Sequence, residues 1–73
     1  MVLESTTWKE VNEMTKLEEL RRKAGMTQAQ LSQKSGVSVP VIVKIENGGI
    51  GGVLGRNLIA LAEALEVQVG ELF

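Results

Sequence analysis

Seventy-three residues make one domain, near the size at which a hydrophobic core only just offsets chain entropy without disulfides, metals or a partner. Cys, His, Asp and Tyr are all absent, which removes thiolate sites and most acid–base side chains, so neither an enzyme nor a metal or cofactor site is expected. Eight Lys and Arg against nine Glu give a net charge of -1, whereas a dedicated nucleic-acid binder more often has a basic excess; no apolar run approaches the roughly 20 residues of a membrane span, and the expectation is a cytoplasmic protein without membrane contact.

Residues 1–14 read as an arm or short helix and residues 15–73 as the domain proper. In the lead segment, Thr7-Trp8-Lys9-Glu10 has the Thr-x-x-Glu form of a capping box, and Trp8, Val11 and Met14 recur at spacing three. Thr15-Lys16-Leu17-Glu18 repeats the box and opens a helix near 16–24, with Leu17, Leu20 and Ala24 on one face and Gly25 at its end. Thr27-Gln28-Ala29-Gln30 is a third cap, for a helix over 28–35 stopped by Gly36. Ser38 caps a helix over 39–46, and Pro40 sits in its first turn, where a missing N–H costs nothing. Residues 48–55, GGIGGVLG, hold five glycines in eight positions and read as a loop. Asn57 caps a fourth helix, 57–66, whose Leu58, Leu61, Ala62 and Leu65 form a buried stripe. A last turn over 69–73 docks Leu72 and Phe73. The expected fold is all-α: five helices, no sheet, and one core of Leu20, Leu31, Ile42, Ile45, Leu58, Leu61 and Leu65. Strand pairing in the β-branched run 37–43 is the alternative to exclude.

The informative unit is residues 28–46. Two short helices, a small residue at Ser32, Gly36 in the turn, and Val37, Ile42 and Ile45 after it have the offsets of a helix-turn-helix, whose helices cross steeply through a short turn. Together with Leu17-Glu18-Glu19-Leu20-Arg21, Ile45-Glu46-Asn47-Gly48, Leu61-Ala62-Glu63-Ala64-Leu65 and Glu71-Leu72-Phe73, the segment resembles the lambda-repressor-like (Cro-type, XRE) family over residues 15–73.

The resemblance implies a small transcriptional regulator, a repressor or antitoxin-like protein, that binds duplex DNA as a homodimer. It puts the helix opened by Ser38 in the major groove, with Val39, Pro40 and Lys44 toward base edges, Gln28, Asn47 and Arg56 toward phosphate or the minor groove, and Arg21 and Glu46 as a structural ion pair. The apolar ends, residues 1–8 and 69–73, are candidate dimer contacts.

Bland roles stand beside these. Gln28 can instead satisfy its own helix start, Pro40 can serve only to begin a helix, and Lys44 can simply be solvated. Val39, Pro40, Val41 and Val43 also stand where relatives often have polar readers, and Val or Pro can touch a thymine methyl but cannot distinguish guanine or adenine by bidentate bonds. Specificity should be modest, and Lys34, Lys44 and Arg56 of a dimer would neutralise about six phosphates at most, for a salt slope of about -4 to -5. The rival class is a protein-interaction module that kept the fold and lost the DNA face, supported by the acidic balance, the apolar run 39–43 and the apolar glycine-rich loop 48–55. An antitoxin-like protein with a toxin partner would join the two.

Overall fold

The computed structural model describes residues 15–48 and 51–72, so the capping box at Thr7, the spacing of Trp8, Val11 and Met14, and Phe73 lie outside the described residues. Among these residues, four α-helices, α1 (Lys16–Lys23), α2 (Gln28–Ser35), α3 (Val39–Glu46) and α4 (Gly55–Leu65), are followed by a single 3-10 turn, Val69–Leu72. The fold is all-α with no strand among the described residues, and the expected fifth helix is only this turn. Residues 39–43 of the β-branched run are helical, with Val37 buried in the turn before them, because Ile42 and Ile45, three residues apart, bury one face of a helix that packs on α1 and α2.

Local chemistry accounts for most helix ends. Thr15 Oγ1 accepts the Glu18 amide at 3.3 Å, but the box is half made, since the Glu18 carboxylate turns to Arg22 four residues on, at 2.9 Å. At α2 the box is complete: Thr27 Oγ1 accepts the Gln30 amide and Gln30 Oε1 accepts the Thr27 amide, at 3.0 and 2.8 Å. Gly36 closes α2 at φ 79, its N–H donating to the Ser32 carbonyl.

Two expected caps are not formed. Ser38 stands at the N-cap of α3 with no side-chain cap bond. α4 begins at Gly55, so its N-cap is Leu54, and Asn57 lies inside the first turn. The nearby apolar residues carry this start: Val53 packs on the core, and the amides of Asn57 and Leu58 both reach the Leu54 carbonyl.

The ends of α1 and α4 share one closure. Met26 N–H donates to the Arg21 carbonyl at 3.2 Å and Val67 N–H to the Ala62 carbonyl at 2.9 Å, each five residues back, with Gly25 and Glu66 in the left-handed region at φ 71 and 58. Glu66 takes a position that favours glycine, because Val67, like Met26, is drawn onto the core.

α2 packs on α3 and α4, α1 packs on α3, and the terminal turn packs on α4 and α1. The buried core is Leu17, Leu31, Val37, Ile42, Ile45, Leu61, Ala62, Ala64 and Leu72. Leu20, Leu58 and Leu65, expected inside, are only partly buried against it. Leu17 replaces Leu20 at the centre because it lies on the α1 face that meets α3, one helical turn before Arg21.

Candidate nucleic-acid interface

α3 is divided lengthwise. Ile42 and Ile45 are buried, Glu46 is buried, Val39, Val41 and Val43 are half-buried, and Ser38, Pro40, Lys44 and Asn47 are exposed. Residues 40, 44 and 47 recur at i, i+4 and i+7, so one continuous outer stripe carries Pro40, Lys44 and Asn47. Pro40 is the second residue of the helix, where its fixed φ suits the helix and no intrahelical donor is lost. The Ser38 hydroxyl is not consumed by capping; the amide before it, Val37 N–H, is taken by Ser35 Oγ at 3.1 Å.

The inner edge of α3 is held by a closed polar cluster. Arg21 Nε donates to Glu46 Oε2 at 2.6 Å and Arg21 Nη2 to Glu46 Oε1 at 3.1 Å, a fork-on-fork ion pair. Arg21 Nη1 donates to the Met26 carbonyl at 2.8 Å, and Gln28 Nε2 donates to Glu46 Oε1 at 2.9 Å. The cluster ties α1, the turn after it, the start of α2 and the end of α3, and no buried side-chain polar atom among the described residues lacks a partner. Gln28 is therefore not a cap for its own helix, a task that Thr27 and Gln30 perform. Its amide clamps the carboxylate of another helix from a half-buried position, with a second N–H and a carbonyl oxygen to spare. Sequence carried no signal for this bond or for the Met26 acceptor, since both depend on how α2 meets α3.

The cations around the stripe differ in their freedom. Lys44 Nζ lies over the glycine loop, 3.8 Å from where a Cβ on Gly52 would stand. Arg56 is exposed as the second residue of α4. Lys34, counted with them on sequence grounds, lies 3.9 Å from Glu66 at the far end of α4 in an exposed pairing. The acidic balance of the whole chain also divides unevenly: Glu4, Glu10 and Glu13 against Lys9 leave residues 1–14 at -2, so residues 15–73 carry +1 of the total of -1.

A helix pinned along one edge by a buried ion pair, crossing a second through a glycine turn and exposing its outer stripe, defines a helix-turn-helix module. The helix-turn-helix family model matches residues 17–72, and the chain belongs to that family of DNA-binding regulators. No curated protein and no solved structure matches it. Among the described residues, no helix is long and apolar enough to cross a membrane.

Proposed function

We propose that the protein is a small transcriptional regulator, a repressor or antitoxin-like protein of the cytoplasm, that binds duplex DNA as a two-fold dimer with α3 in the major groove. The observation that carries this reading is the division of α3. Its apolar and acidic residues face inward, while Ser38, Pro40, Lys44 and Asn47 face out beside the start of α2. Lys44 reaches a base edge or phosphate, Val39 and Pro40 contribute apolar contacts, and Ser38, Asn47 and the free side of Gln28 serve the backbone, with Arg56 at the margin. One helix reads only a few base pairs, so two copies on half-sites about one helical turn apart supply the rest.

A protein-interaction module is the second reading, favoured by the exposed Leu54 and Ile59 at 54% and 50%. Titration of labelled duplex pools with the full chain separates the two. Binding well above that of a generic acidic protein at low salt is expected, with Val39→Ala shifting sequence preference but not salt dependence. Uniformly weak binding in every pool would leave the interaction module as the account.

A further inference from the structure

α4 carries an exposed stripe that is complementary to itself. Arg56, Ile59 and Glu63 lie three and four residues apart, all on the side turned away from the buried Leu61, Ala62 and Ala64. Among the described residues, Ile59 is one of two large hydrophobics that are half-exposed, and Leu54 at the helix start is the other. Neither Arg56 nor Glu63 has an ion-pair partner among the described residues, whereas Glu18, Glu19, Glu46 and Glu66 each have one.

We infer that this face of α4 is the contact between two copies of the chain, laid antiparallel about a two-fold axis close to Ile59. Reversing a helix that reads positive, apolar, negative brings Arg56 of one copy to Glu63 of the other and the reverse, with the two Ile59 side chains between them. Arg56 and Glu63 are about 10 Å apart along the axis at 1.5 Å per residue, and helices in contact lie about 8–10 Å apart, within reach of an arginine side chain. A contact of this kind is isologous, as two-fold symmetry requires. The occupant is a second copy because one stripe supplies both members of each ion pair and the apolar centre. The helix is about 16 Å long, too short for a standard interface of about 800 Å² per partner, so the free dimer is weak and paired half-sites on one duplex tighten it. The inference rests on the two-fold part of the proposed function, departs from it at Arg56, which here meets a carboxylate instead of phosphate, and replaces the apolar chain ends as the dimer surface.

The test is sedimentation equilibrium of the full chain over a wide concentration range, for wild type, Ile59→Ser, Arg56→Glu, Glu63→Arg and the double reversal. All three positions are exposed, and unchanged helical circular dichroism confirms folding. A concentration-dependent dimer is expected, weakened about tenfold or more by each single change and restored to within about threefold of wild type by the double reversal, since two contacts change sign together. A wild type that stays monomeric to millimolar concentration overturns the inference, and so does a dimer indifferent to the single changes or not rescued by the double one. Duplex titration of the same proteins keeps the two ideas apart. Absence of DNA binding with this dimer intact defeats the proposed function alone, and DNA binding with a different dimer surface defeats the interface alone.

Discussion

The two connections that flank α3 are built in opposite ways. Before α3, the three residues Gly36, Val37 and Ser38 make a tight turn: Gly36 is left-handed, Val37 is 3% exposed, and its amide is bonded to Ser35. After α3, residues 47–54 are glycine-rich, with Gly48 and Gly52 at φ 93 and 82, and Val53 is the described residue that packs on the core. The front of the helix is thus aimed by its turn. At the rear, the Arg21–Glu46 pair, with Gln28 beside it, holds the helix from the side.

This difference is broken most directly at Glu46. Replacing it with alanine strands the Arg21 guanidinium and is expected to cost about 3–5 kcal/mol, because the site is buried. A double-mutant cycle with Arg21→Ala in chemical denaturation should show strong coupling; independent effects would mean that the rear of α3 is held by packing alone.

Val37→Ala removes about two buried methylene equivalents and is expected to cost about 2 kcal/mol, against less than about 1 for Val53→Ala, which is half-buried. Equal losses in thermal unfolding would erase the distinction. Smaller again is the effect of lengthening: two extra glycines between Gly51 and Gly52 are expected to cost a few tenths of a kcal/mol by loop-closure entropy. The same insertion between Val37 and Ser38 should abolish DNA binding, because it detaches α3 from the turn that aims it.

Much of this was legible in the sequence, wherever one residue type answers one geometric need. Gly36 and the Thr27–Gln30 box mark the ends of α2, and the spacing of Ile42 and Ile45 marks the inner face of α3. The failures lie where tertiary packing chose among local options. Ser38 and Asn57 are good capping residues that do not cap, since the apolar Val37 and Val53 fix both helix starts by burial. Gln28 was readable as a helix-start residue, but its bond to Glu46 spans 18 positions and depends on the crossing of α2 and α3. Ile59 is legible as well: it sits one residue beyond Leu58, off the Leu58, Leu61, Ala62, Leu65 stripe, which is how an exposed apolar residue on an amphipathic helix announces itself.

The smallest expected effect lies on the exposed side of α3 and separates two roles for Arg56. Leaving out Lys34, whose ammonium lies 3.9 Å from the Glu66 carboxylate in an exposed pairing, each copy of the proposed dimer offers DNA Lys44 and, if it is free, Arg56. A dimer then neutralises about four phosphates, for a slope of log affinity against log salt of about -3.6, shallower than the six-phosphate value expected from sequence. If Arg56 instead meets Glu63 of the second copy, two phosphates remain and the slope is about -1.8. Lys44→Ala removes about 1.8 from either value, since Lys44 is exposed and its loss leaves the buried cluster untouched. A variant slope near zero assigns Arg56 to the dimer, and one near -1.8 assigns it to DNA. An unchanged slope would mean that the Lys44 ammonium stays over Gly52 in the complex, and the cationic contacts would then have to come from outside α3.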